Sequence, residues 1–419
     1  MNRYRTRSAV LLLALLLTSV CLSAHAVQDP EFRQFLDAAY RKHTGFEASL
    51  DQLQTYDRSS LSTEDQLSYD LFAWYLEDQI LIRALALGEI DREDVPYETL
   101  LHHHTTTRFS PSELFEILRG AVEENQAAVN RCLSEIQLPG DSLHAQMEAV
   151  NKTGVQKTTQ AGISVAAEMQ GYVDRAEEAL RPCFAIYPVD PVVVTPVPGL
   201  LSAAGFRFGS EAQGRPNQVQ ILPGRNGVPY YLRLTIAHHE AYPGHYVQEH
   251  NQNQLTHLPE FRQRWGFGAY TESWALYGEQ LAFDMGLFED ADPLHRLGFV
   301  ESKLWRSTHA LADVGLNGMG WTVEEAVTRL TETLVLTATE ARTRVTRMLE
   351  DPGAATASYT GYLCLMRFRT RAQEALGDDF EWAAFHRVIL ETGPAPMEIL
   401  ETVVDCYIEE IAEATPPTD

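Results

Sequence analysis

Residues 239–248 read His-Glu-Ala-Tyr-Pro-Gly-His-Tyr-Val-Gln, and a second acidic stretch, Thr-Glu-Ser-Trp-Ala-Leu-Tyr-Gly-Glu, follows at 271–279. Hydrolytic zinc sites use three protein ligands and keep a fourth position for water. The two stretches supply two histidines, a glutamate beside the first histidine and another glutamate on the next predicted helix. Together they predict a metal centre built between two helices, and the rest of the chain is interpreted around it.

The spacing of the two histidines requires a break in the helix. His239 and His245 are six residues apart, so on an unbroken helix their side chains would point about 120° away from each other. Pro243 removes a helical hydrogen bond and Gly244 tolerates unusual backbone angles, so the helix is expected to break there and to turn His245 back toward His239. Glu240 then stands where a general base belongs.

A straight helix would favour a different pair of ligands. His238 and His245 are seven residues apart and would share one face, and Glu249 and His250 are further candidates. The residue spacing alone leaves this choice open. The second stretch opens a new helical pattern in which Glu272 and Glu279 lie on one face, so that Glu279 could accept a hydrogen bond from a ligand histidine.

The pattern His-Glu-x-x-Pro-Gly-His-x-x-Gln, followed by Thr-Glu-x-Trp-Ala-Leu-Tyr-x-Glu, resembles the signature of the bacterial domain-of-unknown-function 885 family. These are mostly helical proteins similar to gluzincin zinc metallopeptidases, and the resemblance runs from about residue 185 to the C-terminus. It implies three zinc ligands, a general base and a supporting shell: His239, His245 and Glu272; Glu240; and Gln248 and Glu279.

Farther along the chain the resemblance is partial. The family pattern has glycine at Ser273, histidine at Tyr246 and different residues at His309 and Asn317, whereas Arg306, Asp313 and Gly315 match it. Tyr359 is predicted to donate to the oxyanion of the reaction, with His309 as a weaker candidate. Arg306 is predicted to bind a substrate carboxylate, although a pair with Asp313 or another acid is equally compatible with the sequence.

The first 26 residues have the features of an export signal: three arginines, then an apolar run too short to span a bilayer, then Ala24-His25-Ala26. The formal net charge of −25 argues against nucleic acid and anionic membrane surfaces as partners. No later segment has the composition of a membrane span. The sequence therefore predicts a periplasmic or secreted protein, with cysteines that allow disulfides but no zinc knuckle.

Helical patterns dominate the chain, and the predicted fold class is mainly α with a small antiparallel sheet in a gluzincin-like architecture. An N-terminal helical region is expected over 27–184 and a zinc-hydrolase-like core over 185–419. Three short β-branched or alternating segments near 192–195, 206–208 and 218–222 predict the strands. Single helices are predicted over the ranges from about 141 to 180, from 321 to 350 and from 380 to 412.

The leading hypothesis is an exported zinc-dependent hydrolase that cleaves a peptide or peptide-like amide bond, with Glu240 activating water bound to Zn²⁺. The altered positions at Tyr246, Ser273, His309 and Asn317 motivate an alternative, a catalytically silent protein of the same fold that binds zinc or peptides. A third hypothesis is a helical interaction protein in which the motif arose by chance.

Overall fold

The computed structural model describes residues 29–161, 163–224, 227–266 and 268–414, and the predicted export signal at 1–26 lies outside these ranges. The described chain is mainly helical, as expected. The helices are α1 (Pro30–Lys42), α2 (Phe46–Leu53), α3 (Thr63–Ala86), α4 (Tyr97–Thr105), α5 (Pro111–Ile136), α6 (Leu143–Ala161), α7 (Val165–Leu180), α8 (Arg233–Glu240), α9 (His245–Gln254), α10 (Glu260–Arg264), α11 (Gly268–Asp284), α12 (Pro293–Gly318), α13 (Val323–Thr333), α14 (Ala338–Glu350), α15 (Ala357–Leu376), α16 (Trp382–Thr392) and α17 (Met397–Ala414).

The sheet has the three predicted strands, but its pairing differs from the prediction. Strands β1 (Val192–Pro196), β2 (Ala204–Arg207) and β3 (Asn217–Ile221) lie in the order β1-β3-β2. β2 and β3 form an antiparallel pair, whereas β1 runs parallel to β3. The expectation of an antiparallel sheet was therefore wrong, and the sheet is mixed. β3 is the last strand in the chain, but it lies between the other two strands and runs in the same direction as β1.

Three of the described helices begin at reciprocal capping boxes. Ser110 and Glu113 form a reciprocal capping box at the start of α5, and Thr322 does the same with Glu325 for α13. Three long segments that were each predicted as a single helix are divided into two helices in the structure. The first divides between α6 and α7, and the second divides at a further capping box formed by Thr337. The third divides at Gly393, where φ is +76° and prolines follow.

One contiguous cluster of buried apolar side chains runs through the described chain, from Phe32 in α1 to Tyr407 in α17. α5, from the predicted N-terminal region, packs along α12 of the predicted core, and α11 packs along α15. The proposed boundary at 184/185 falls just before β1 and stays a prediction, since the apolar cluster includes residues on both sides of it. None of the described helices is both long and apolar enough to cross a membrane.

The contact between α11 and α15 depends on Gly361. A methyl group there would lie 2.2 Å from Ser273 Oγ and 2.4 Å from the Ala269 carbonyl oxygen. Gly361→Ala is therefore expected to lower the free energy of unfolding by about 1–3 kcal/mol, because the backbone of α11 cannot move aside. Denaturant unfolding of the purified variant measures this change.

Gly171→Ala is the matched control. Gly171 also lies inside a helix, but nothing lies within 4 Å of the added methyl group. This variant is expected to be unchanged or stabilised by up to about 1 kcal/mol, since alanine favours helix. Equal destabilisation of both variants would contradict close packing at Gly361.

Candidate metal centre

The predicted break in the helix is present and separates α8 from α9. α8 ends at Glu240, and Ala241 has φ −109° and ψ −99°, well outside helical values. Gly244 then donates its amide hydrogen to the His238 carbonyl oxygen at 3.0 Å and precedes the first residue of α9, His245. A methyl group on Gly244 would lie 1.8 Å from the His239 carbonyl oxygen, so only glycine fits this turn.

Helix α11 is held directly against the turn. The Trp274 indole donates to the Pro243 carbonyl oxygen at 3.0 Å, with the indole completely buried. Gly278 faces Gly244, and a Cβ at Gly278 would be 3.2 Å from the Gly244 nitrogen. This close approach of two backbones brings the acidic face of α11, with Glu272 and Glu279, alongside the two histidines.

The structure brings His239, His245 and Glu272 together. Glu272 Oε2 lies 3.6 Å from His239 Nε2, and Glu272 Oε1 lies 3.6 Å from His245 Nε2. One ligand atom from each residue lies within 4.8 Å of the other two, and the imidazole centroids are 4.8 Å apart. Ligand atoms of a tetrahedral zinc ion are separated by about 3.3 Å, given bonds near 2.0 Å, so small side-chain movements suffice for the three to hold a metal.

A network behind the triad fixes the orientation of His239. Glu279 is almost fully buried, and its Oε1 accepts a hydrogen bond from His239 Nδ1 at 2.8 Å, which turns Nε2 toward the other triad residues. Ser302 donates to the other oxygen of Glu279 at 3.3 Å. Arg306 lies 3.6 Å from Glu279 and donates to Ser302. The sequence left the partner of Arg306 open between Asp313 and another acid, and the structure assigns it to Glu279.

In the metal-free protein the triad carries opposite charges. Burial opposes the charge on His239, but the carboxylates of Glu272 and Glu279 outweigh it and raise the pKa of His239 to about 10. The interaction with His239 outweighs the effect of burial on Glu272 and lowers the pKa of its carboxyl group to about 2. Burial, reinforced by the charge on His239, lowers the pKa of His245 to about 4. At neutral pH His239 is therefore the protonated imidazole of the pair.

Glu240 lies beside the triad at the end of α8, with 9% of its surface exposed. Burial raises the pKa of its carboxyl group, against the opposing charge of His239, and the neighbouring Glu272 raises it further. A backbone hydrogen bond from Phe206 in β2 opposes these effects, so the edge strand of the sheet lies next to Glu240. Burial, together with the nearby charge of Glu240, raises the pKa of Glu249 to about 7.

The rival ligands point elsewhere. His238 is fully buried, its Nδ1 is 3.0 Å from the Tyr242 carbonyl oxygen, and its ring lies against Phe288. The alignment of His238 with His245 required a straight helix, and the turn removes it. His250 packs against Tyr246. Gln248, predicted in the supporting shell, donates to Gln252 within α9 rather than to a triad residue.

Two residues predicted to face the substrate are occupied by other contacts. Tyr359 is buried, and its hydroxyl accepts a hydrogen bond from Asn125 of α5 at 2.7 Å. His309 stacks on Trp305 with ring centroids 3.8 Å apart, and its Nδ1 bonds to the Trp305 carbonyl oxygen. Neither residue lines the cleft beside the triad, so both assigned roles remain untested predictions.

A cleft of about 580 Å³ reaches the triad at Glu272, which is the triad residue on its lining. Helix α12 supplies one wall, with Trp305 and Arg306, and the loop 334–336 supplies an apolar rim. Glu301, Ser302 and Thr235 also line it, and the sequence reasoning missed all three. Ser302 stands four residues before Arg306, which is a usable signal on a helix. The roles of Glu301 and Thr235 depend on how α12 and α8 are arranged in space.

Gly244→Ala is expected to lower the free energy of unfolding by about 2 kcal/mol or more, since the added methyl group would overlap backbone atoms of α8. Chemical denaturation followed by circular dichroism measures the change. Gly120→Ala serves as the control, because Gly120 is helical with open space around it. An unaltered Gly244→Ala protein would show that the turn does not depend on glycine.

The fold occurs in other solved structures. A protein from Colwellia psychrerythraea described as a "putative lipoprotein" superposes with a TM-score of 0.67 at 21% sequence identity, over 87% of this chain and 70% of that one. A "putative lipoprotein of unknown function" from Shewanella oneidensis gives a TM-score of 0.60 at 17% identity, over 88% and 72% of the two chains. At such identities the likeness concerns the fold alone.

A search of curated proteins gave no match. The family described as "Bacterial protein of unknown function (DUF885)" matches residues 91–404. The sequence motifs indicated a resemblance from about residue 185, but the family match begins well before that residue. It therefore includes α4 to α7 as well as the triad. Because it spans well over half of the 419 residues, the chain belongs to the DUF885 family of bacterial proteins.

Proposed function

We propose that this protein is an exported zinc-dependent hydrolase that cleaves a peptide or peptide-like amide bond. The observation that carries the proposal is the convergence of His239, His245 and Glu272 beside a buried Glu240, with Glu272 lining a cleft of about 580 Å³. Two imidazoles and one carboxylate are the ligand set of several hydrolytic zinc sites, and they leave one coordination position open.

Each side chain has a separate task in this proposal. When bound, zinc polarises the carbonyl group under attack and lowers the pKa of water toward about 7. Glu240 accepts a proton from the attacking water and delivers it to the leaving amine; its raised pKa suits both transfers. Glu279 keeps the Nδ1 proton of His239 in place and so maintains the correct tautomer. Arg306 and Ser302 compensate the buried charge of Glu279.

The position of β2 supports an extended peptide as substrate. β2 is an edge strand, and the amide of its Phe206 reaches Glu240. A peptide added along such an edge would run past the general base with its backbone hydrogen-bonded, as in β-strand addition. Gluzincin-like proteins place a strand edge beside the metal in the same way.

An exported location fits the apolar, arginine-led first 26 residues. Two solved proteins that share the fold are each described as a "putative lipoprotein", which also favours export. Imidazole and carboxylate donors of this kind suit zinc among the divalent metals.

Metal content and turnover test the proposal. The purified protein is expected to hold about one zinc per chain, and His239→Ala to lose it, because removing one of three ligands leaves too few donors. Glu240→Gln is expected to retain the metal and to lose about a hundredfold or more in kcat on peptide substrates, since general-base catalysis contributes on that scale. Elemental analysis and a peptide-library assay provide the two measurements.

His250→Ala is the matched control, because His250 is a partly buried histidine of α9 outside the triad. It is expected to keep both metal and activity. Wild-type protein without metal after exposure to zinc would refute the proposal. Bound metal without turnover of any library peptide would favour the silent binding protein instead.

Zinc binding at pH 6 is expected to release about one proton per ion. At that pH His239 is protonated, His245 is neutral and Glu272 is ionised, so His239 alone must lose a proton to bind through Nε2. Calorimetric titrations in buffers of different ionisation enthalpy measure the number. A release near zero or near two would show that the charges in the metal-free triad are assigned wrongly.

A further inference from the structure

The cleft beside the triad combines apolar walls with a small number of charges. Its apolar surface comes from side chains on four segments of the chain: Met147, Leu232, Ile236, Trp305, Leu334 and Leu336. Its charged side chains are Glu272, Glu279, Glu301 and Arg306. Large ligands are held in such pockets by apolar contact, and a few polar groups fix their orientation.

Three of the four charges already have partners. Glu272 belongs to the triad, and Glu279 is bound by His239 and Ser302. Arg306 donates to Ser302 and lies 3.6 Å from Glu279, so its charge is compensated by a fully buried acid. It is the only lysine or arginine on the described lining, which leaves the cleft without an uncompensated cation for a substrate carboxylate.

Glu301 is the exception. It lies on α12 at the cleft, is partly buried, and makes no hydrogen bond or ion pair with the other described residues. Burial raises the pKa of its carboxyl group to about 7, with Arg306 opposing at longer range. A carboxyl group removed from water in this way gains most from a cation that enters beside it, because the charge-assisted hydrogen bond replaces the missing hydration.

A second polar group of the cleft also lacks a partner. Thr235 is 1% exposed, it lines the same cleft, and its Oγ1 has no hydrogen-bond partner among the residues that the structure describes. Buried hydroxyl groups are rarely left unpaired, since the loss of hydration costs about 1–3 kcal/mol. Tyr231 also lines the cleft. Burial raises the pKa of its hydroxyl group, and the nearby Glu301 carboxylate raises it further.

Trp305 also lines the cleft and packs against two further side chains. His309 stacks on one part of the indole at 3.8 Å between centroids, and the Arg344 guanidinium lies 4.9 Å from the ring centroid. Glu301 and Trp305 are four residues apart on α12, so they occupy the same face of the helix. A ligand with a cationic group and an adjacent apolar side chain would contact both.

We propose that Glu301 recognises a primary ammonium group of the substrate, while the adjacent apolar side chain lies against Trp305 and the rim formed by residues 334–336. The proposal deepens the proposed hydrolase function and rests on it, since it assigns a substrate class to the same cleft. The ammonium group has two sources in peptides, the free N-terminus and the lysine side chain.

Binding, rather than turnover, tests the assignment. The protein carries Glu240→Gln so that no ligand is consumed, and three ligands are titrated by calorimetry: leucyl-leucinamide, its N-acetyl derivative, and N-acetyl-lysyl-leucinamide. The free amine is expected to bind roughly tenfold or more tightly than the acetylated peptide, as for a hydrogen bond between charged groups. Tighter binding of the lysyl peptide than of N-acetyl-leucyl-leucinamide would assign the ammonium group to the side chain.

Adding Glu301→Gln is expected to abolish the preference for an ammonium group while leaving the acetylated leucyl peptide bound as before. Glu148→Gln is the matched control, because Glu148 is an exposed acid on α6, between the lining residues Met147 and Asn151. It should leave the preference intact. Thermal unfolding checks that each variant is folded.

Three results would overturn the assignment: no preference for either ammonium ligand, a preference that survives Glu301→Gln, or no binding of any of the three ligands. These outcomes differ from a failure of the hydrolase proposal. Absence of metal, or absence of turnover in the wild type, would refute the hydrolase without altering the binding comparison.

Discussion

The site depends on a helix that stops and restarts within four residues. Gly244 donates its amide hydrogen to the His238 carbonyl oxygen, and the turn places its α-carbon where any side chain would overlap the His239 carbonyl group. An unbroken helix would point His239 and His245 in different directions. The break instead sets their rings 4.8 Å apart, with α11 fitted against the turn through Trp274. Ligand geometry, cleft and base position all follow from this local constraint.

The second constraint is that the buried charges of the site compensate one another. Glu279 is 1% exposed, and His239, Ser302 and Arg306 surround it. An isolated carboxylate at that depth would be strongly destabilising, whereas a paired and hydrogen-bonded one orients its neighbours. Arg306 is therefore engaged in holding Glu279, and its predicted contact with a substrate carboxylate stays a prediction.

The positions at which this chain departs from the family pattern make structural contacts. Tyr246 donates its hydroxyl hydrogen to the Asp190 carbonyl oxygen, and Ser273 donates to the Ser358 carbonyl oxygen beside Gly361. His309 supports Trp305, and Asn317 donates to Asp313. Each replacement is absorbed by local packing rather than by the triad.

Short-range signals in the sequence determined the helical class, the capping boxes at Ser110 and Thr322, and the strand segments, because each depends on neighbours within a few residues. The Pro243-Gly244 break and the face shared by Glu272 and Glu279 were predictable for the same reason. Only the tertiary structure decided that β1 runs parallel to β3, that Arg306 pairs with Glu279, and that His238 turns away from the triad. It also decided that Glu301 and Thr235 share a cleft. These contacts join residues distant in the chain, and their partners are selected by how whole helices pack and by which buried charges must be compensated.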